Sequence, residues 1–320
     1  MTWSIDESGT MHHKATGMKV SPESGISFPG SEYKLRPQDI DVESDSRLGA
    51  GAGGVVQKGV IRTTGQPVAI KVIKVDDKPK RDQLINEIRG LVQAQGCPYL
   101  VQWYAGFANN TNLQVNVALE FMDLGSLADL KKRMANAGMS GAPSNHVAAI
   151  SAQVTLGLSH LHSKHILHRD IKLENILHNR EGRVKLTDFG IAKDLDATLA
   201  VAGTFVGTVT YMSPERCLGE DYTFISDIWS VGMVIYEIST GNYPFKDISS
   251  FPALFEHLCE KPEPRLDPGV YPTAQCEYVA LSLVRDVSQR WDAERLLSHP
   301  FVSGFTAADE QALAQFFATL

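Results

Sequence analysis

The pattern of apolar residues changes character at Met122, and no other feature limits the fold of this chain as much. Between Asp39 and Met122, Arg47-Leu48, Val55-Val56-Gln57-Lys58-Gly59-Val60-Ile61 and Pro67-Val68-Ala69-Ile70-Lys71-Val72-Ile73 read as successive β-branched strands with glycine-rich turns between them. Arg81 to Gln95 interrupts them with apolar residues at Leu84, Ile85, Ile88, Leu91 and Val92, a helical spacing. Two more strands, about 100 to 107 and 114 to 121, flank the polar turn Asn109-Asn110-Thr111-Asn112. Beyond Met122 the candidates are helices: Leu124 to Met134, Ser144 to Lys164, Ser226 to Thr240, Phe251 to Glu260, Ala274 to Val284 and Ala293 to Leu297. Strands then helices predict an α+β chain, bilobal, with a small antiparallel sheet lobe carrying one helix and a larger, mainly α lobe. With 320 residues and 43% apolar composition, the chain is near the size at which one core divides in two.

Several classes of function are excluded. A net charge of −7 without a clustered basic face argues against nucleic acid as a partner. Cys97, Cys217, Cys259 and Cys276 lack paired spacing, which fits a reducing compartment better than a zinc site or a disulfide scaffold. No stretch has the signal-peptide pattern or the roughly 18 apolar residues that cross a bilayer, so no membrane contact and a cytoplasmic location are expected. Residues 1 to 38 mix Ser, Gly, Pro and His with little periodicity and are expected to be a mobile tail. A folded domain is expected over 39–303, divided into 39–122 and 123–303, and a short amphipathic C-terminal helix lies within 304–320.

The chemistry concentrates in His168-Arg169-Asp170-Ile171-Lys172-Leu173-Glu174-Asn175 and in Asp188-Phe189-Gly190. Asp170 offers a carboxylate base, Asn175 and Asp188 offer two magnesium ligands, and Lys172 offers a point charge for a phosphate, the parts needed to move a phosphoryl group from ATP to a hydroxyl. Gly49-Ala50-Gly51-Ala52-Gly53-Gly54-Val55-Val56 lets backbone N–H groups approach phosphate oxygens. Glycine-rich turns are common, and a dinucleotide-binding βαβ unit uses a similar string. That unit needs a helix after the glycines, whereas here a strand follows, which favours a hairpin over ATP. Lys71 is costly in an apolar strand unless its ammonium meets an anion, and Glu87 on the inserted helix is the candidate partner alongside the nucleotide phosphates.

With these residues in order, the chain from about 39 to 303 resembles a eukaryotic protein kinase domain. Ser213-Pro214-Glu215, Arg290 and Asp227 match that family's structural markers. Thr204-Phe205-Val206-Gly207-Thr208-Val209-Thr210-Tyr211-Met212-Ser213-Pro214-Glu215-Arg216 and the hinge string Leu119-Glu120-Phe121-Met122-Asp123 are similar to the MAP kinase kinases in particular. The resemblance implies that ATP lies against Leu48, Gly49, Gly51, Gly54, Val56, Ala69 and Lys71, with Glu120 and Met122 presenting backbone groups to adenine and Leu119 as gatekeeper. It implies Mg²⁺ at Asn175 and Asp188, Thr208 beside Asp170, and switching by phosphorylation at Thr198 and Thr204, whose spacing matches the plant type. The implied partners are a downstream MAP kinase, phosphorylated on Thr and Tyr, and an upstream MAP kinase kinase kinase. Leu173 departs from the proline usual in the family, and no proline-rich insertion follows Phe245. A docking motif is present in the tail only as His12-His13-Lys14 with Met18 and Val20, and the C-terminal helix either meets the upstream kinase or packs on the large lobe. The rival functions are a serine/threonine kinase of an adjacent cascade tier and a pseudokinase scaffold. The scaffold is disfavoured because Lys71, Glu87, Asp170, Asn175 and Asp188 are all present.

Overall fold

The computed structural model describes residues 3–6, 10–14, 17, 19–21, 25–28, 31–32, 37–51, 54–74, 88, 92, 94–109, 114–189, 210–246, 248 and 250–320. Two compact units result: 1–95 with 101–122, and 96–100 with 123–320.

In the first unit, the segment expected to be a mobile tail contains five short strands instead: β1 (Trp3–Ile5), β2 (Met11–His13), β3 (Lys19–Ser21), β4 (Gly25–Phe28) and β5 (Ser31–Glu32). They form an antiparallel meander in sequence order. Strands of two to four residues leave no detectable alternation in a sequence; their order comes from pairing with neighbours. The proposed docking segment is part of this meander, with Met11 opposite Val20 and His12 opposite Lys19. The main sheet is β6 (Ile40–Gly51), β7 (Gly54–Ile61), β8 (Pro67–Lys74), β9 (Trp103–Asn109) and β10 (Gln114–Glu120), in the order β6-β7-β8-β10-β9, and all its pairs are antiparallel. Alternating residues of these strands build a core of Ile40, Ile61, Val68, Ile70, Ala105, Phe107 and Ala118. Of the inserted helix, Ile88 and Val92 are helical, and Ile88 is fully buried.

The second unit holds α1 (Leu127–Asn136), α2 (Ser144–Ser163), a two-stranded hairpin of β11 (Ile176–His178) and β12 (Val184–Leu186), then α3 (Pro214–Cys217), α4 (Phe224–Thr240), α5 (Phe251–Cys259), α6 (Thr273–Ser282), α7 (Ala293–Leu297) and α8 (Ala307–Ala318). Local chemistry sets their starts. Ser126 Oγ accepts from the Asp129 N–H at 3.3 Å while its own N–H donates to Asp129 Oδ2 at 3.0 Å, so α1 begins after Ser126 rather than at the expected Leu124. Thr306 and Asp309 repeat the device at α8. The core of this unit centres on α4, where Ile228, Trp229, Val231, Val234, Ile235 and Ile238 are fully buried.

The C-terminal helix packs on its own unit. Leu313, Phe316 and Phe317 are buried, Phe316 stacks on His146 of α2 and Phe317 meets His178 edge-on. Glu310 pairs with Arg183 at 2.9 Å and accepts from the Tyr99 hydroxyl at 3.4 Å. At Gly182, in the β11–β12 turn with φ +81°, an added Cβ would lie 1.9 Å from the Glu310 carbonyl oxygen, so the approach of α8 requires glycine there. The apolar side of α8 is therefore already covered.

Candidate active site

The loop between α2 and β11 is assembled around Asp170. Its Oδ2 accepts from Asn175 Nδ2 at 2.8 Å and pairs with Lys172 Nζ at 3.0 Å. Asn175 Nδ2 also donates to the Asp170 carbonyl at 2.8 Å, and the Asn175 carbonyl accepts from the Thr187 N–H at 3.0 Å. The last bond ties the loop to the residue preceding Asp188, so Asp170, Lys172, Asn175 and the start of Asp188-Phe189 form one hydrogen-bonded assembly. Arg169 and Asp188 take left-handed backbone angles, φ +69° and +59°. Such angles cost about 1–2 kcal/mol in a residue with a side chain and persist only where surrounding bonds enforce them.

Asp227 supplies that enforcement for Arg169. Its carboxylate, on α4 and fully buried, accepts from the N–H groups of His168 at 3.0 Å and Arg169 at 2.9 Å, from His162 Nε2 at 2.9 Å and from the Tyr222 hydroxyl. Burial works to raise the Asp227 pKa, but the bond and charge of His162, with His168 and Tyr222, outweigh it and hold the carboxyl below its ordinary value. His168 is also fully buried. Burial lowers its pKa against the pull of Asp227, Asp170 and Asp188, and its neutral Nδ1 accepts from the Asp170 N–H at 3.3 Å. Glu215 and Arg290, two of the residues matched to family markers, pair with each other, bidentate at 2.8 and 3.0 Å, with the guanidinium over the Trp229 ring.

The sequence did not reveal how the chain just before α3 is anchored. Tyr211 donates its hydroxyl to Glu237 Oε2 at 2.5 Å, and Lys131 from α1 meets the other oxygen at 2.5 Å. Ser230 Oγ donates to the Tyr211 carbonyl at 2.8 Å. Burial, then the Glu237 charge, pushes the Tyr211 hydroxyl pKa well up, so it remains a donor. Of these residues, Tyr211 and Ser230 line a recess together with Arg169, Asp170, Ile171 and Lys172 of the loop before β11 and with Met212, Arg216 and Tyr222. Lys131, Tyr211 and Glu237 are too far apart in sequence to leave any periodic signal.

In the first unit, the glycine string leaves β6 and re-enters as β7, with Gly51 opposite Gly54, so a hairpin and not a strand-to-helix turn follows the glycines. Gly54 has φ +119°, and an added Cβ would lie 2.0 Å from the Val72 carbonyl oxygen. Leu48 and Gly49 are exposed and Val56 is half-buried, while Ala69, Leu119 and Met122 are buried. Lys71 is 3% exposed on β8, flanked by Val56 and Val117 on the neighbouring strands. Glu120 accepts from the Gln102 N–H at 3.1 Å. Glu87, Thr198, Thr204 and Thr208 lie outside the described residues.

The donors present suit a hard cation. Asn175 commits its nitrogen to Asp170, which leaves Oδ1 as its ligand oxygen, and Asp188 adds a carboxylate. Among the described residues no group of three or more His, Cys, Asp or Glu could hold a metal.

Comparison with known proteins agrees with this geometry. The model of the protein kinase domain matches residues 42–302. The chain is 35% identical over 323 residues to the mitogen-activated protein kinase kinase SIPKK of Nicotiana tabacum, covering 95% of this chain and 87% of the relative. It is 36% identical to mitogen-activated protein kinase kinase 1 of Arabidopsis thaliana, covering 91% and 84%. Against dual specificity mitogen-activated protein kinase kinase 1 of Dictyostelium discoideum the identity is 45%, over 62% of this chain and 29% of the relative.

Proposed function

We propose, from the premise that this chain belongs to the protein kinase family and to its MAP kinase kinases, that it transfers the γ-phosphoryl of ATP to a threonine and a tyrosine in the activation loop of a MAP kinase. The observation that carries this reading is the Asp170 carboxylate, fixed through Oδ2 by Lys172 at 3.0 Å and Asn175 at 2.8 Å beside an open recess. Asp170 orients the acceptor hydroxyl and receives its proton. As the acceptor oxygen bonds to the γ-phosphorus, the bond from that phosphorus to the β–γ bridging oxygen breaks and ADP leaves. Lys172 offsets charge on the transferred group, and Thr208 helps fix the acceptor. Asn175 Oδ1 and Asp188 would hold Mg²⁺, which neutralises phosphate oxygens when bound.

Lys71 takes the α- and β-phosphates, paired to Glu87. The backbone of Gly49, Gly51 and Gly54 covers the phosphates, Leu48, Val56 and Ala69 contact the adenine ring, and Glu120 and Met122 bond its edge. The activator is an upstream MAP kinase kinase kinase acting on Thr198 and Thr204, where each phosphate adds about −1.5 to −2 charge and recruits Arg169. The proposed compartment is the cytoplasm, a reading supported by the four free cysteines. No helix among the described residues is long and apolar enough to cross a membrane.

The test uses the full chain with Thr198 and Thr204 changed to Glu, a catalytically dead MAP kinase and ATP. Product on both Thr and Tyr is expected. Product confined to generic substrates would transfer the chain to another cascade tier, and no product on any substrate would refute phosphotransfer.

A further inference from the structure

Resting on that reading, we propose that Arg216 and Tyr222 are positioning residues that close a ring of contacts around the backbone leading into Asp170. The peptide joining Arg169 to Asp170 is held at both ends. Its N–H, on Asp170, donates to His168 Nδ1 at 3.3 Å, and its carbonyl, on Arg169, accepts from Arg216 Nη1 at 3.2 Å. The preceding peptide is anchored by the Arg169 N–H on Asp227 Oδ1 at 2.9 Å. Asp227 Oδ1 also accepts from the Tyr222 hydroxyl, and the Arg216 guanidinium lies 5.0 Å from the centroid of the Tyr222 ring. The path Arg169–Asp227–Tyr222–Arg216–Arg169 therefore returns to its start and encloses the left-handed residue at φ +69°.

The members are not interchangeable with exposed polar side chains. Arg216 is 8% exposed and Asp227 fully buried, so neither has bulk water as an alternative partner. Arginine suits the position because one planar group both donates to a carbonyl and stacks on an aromatic face. Arg216 is also the residue after Glu215 in the helix α3, so the ring connects the chain on the acceptor side of the recess to the carboxylate that orients the acceptor.

Arg216→Met, Tyr222→Phe and the double variant test the ring in the full-length chain by two readouts. Thr198 and Thr204 stay unchanged for the exchange measurement and are changed to Glu for the assays. In amide hydrogen exchange, Arg169 and Asp170 are expected to lose protection on the order of tenfold in Arg216→Met, with α6 and α7 unchanged. In steady-state assays, kcat is expected to fall about tenfold with KM for ATP within about twofold of the parent. The double variant is expected to lose less than the product of the two single losses, because either change already opens the ring. Unchanged protection and kcat in Arg216→Met, or losses that multiply, would overturn the proposal. Where Arg216→Met fails to fold, Tyr222→Phe, which removes one hydroxyl and keeps the ring, decides by the same exchange measurement. A parent without turnover would count against phosphotransfer, and exchange would still decide whether the ring holds the loop.

Discussion

The two units hold their functional residues by different physics. In the larger unit, the backbone leading into Asp170 is held by side chains from remote elements, a buried carboxylate on α4 and an arginine on α3, and α3 itself is anchored by the buried ion pair of Glu215 with Arg290. In the smaller unit, Lys71, Gly54 and Val56 are placed by the backbone ladder of β7, β8 and β10, and the ion pair of Arg62 with Asp41 is exposed on both sides, where such pairs contribute little. Side-chain bracing can set single residues in left-handed geometry, as at Arg169, but it depends on charge and therefore on pH. A ladder is insensitive to pH, and its weak point is steric.

The sharpest probe of the contrast is Glu215→Gln. Breaking a fully buried pair costs about 3–5 kcal/mol, so a clear fall in Tm is expected, and a change within about 0.5 kcal/mol would erase the distinction between the units. Burial raises the Glu215 pKa but Arg290 lowers it further, so its folded value is below the ordinary 4.5. The unfolded chain then takes up the proton first as pH falls. The contribution is complete above about 4.5 and drains away below it, and urea midpoints across that range are expected to show a shallower acid slope in the variant.

Next in size, Asp227→Asn leaves four donors around a weaker acceptor. It is expected to reduce kcat at least about a hundredfold, about 2.7 kcal/mol, with KM for ATP little changed. An equal rise in KM would mean that the brace acts on nucleotide binding as well.

His178 tests the pH side of the contrast in a milder range. It donates from Nδ1 to the Gly125 carbonyl at 3.1 Å and accepts from Arg133. Burial, then the Arg133 charge, pulls its pKa from 6.5 to about 4. A lowered histidine pKa means that the unfolded chain protonates first, so stability is full above 6.5 and is lost as pH falls toward 4, by up to about 3 kcal/mol. Denaturant midpoints at pH 7 and pH 5 are expected to differ less in His178→Leu than in the wild type. Smallest is Gly54→Ala, where steric conflict with the Val72 carbonyl is expected to cost about 1–3 kcal/mol and to raise KM for ATP while sparing kcat. A loss in kcat alone would contradict placement by the ladder.

Much of this was legible in the sequence because the signals are local. β-branched runs gave β7 and β8, period-3.6 stripes gave the long helices, and the strings around Asp170, Asn175 and Asp188 pointed to the protein kinase domain that the family model matches. What escaped detection was non-local. The contacts of Lys131 with Glu237 and of Arg216 with Arg169 join residues whose separation carries no period, so only the folded chain reveals them. The strands of the first 38 residues escaped for the opposite reason: each is so short that alternation has no room to appear. The two readings of the C-terminal helix could not be separated from its amphipathic stripe, because a stripe records that a face is covered and not by what; Phe316 on His146 and Phe317 on His178 identify the cover.

The anchoring of Tyr211 has a pharmacological consequence. An inhibitor seated in the recess against Tyr211 would rest on a side chain that the enzyme can replace only by leaving buried Glu237 without its hydroxyl donor. Drug-resistant substitutions at Tyr211 would therefore carry a fitness penalty of their own.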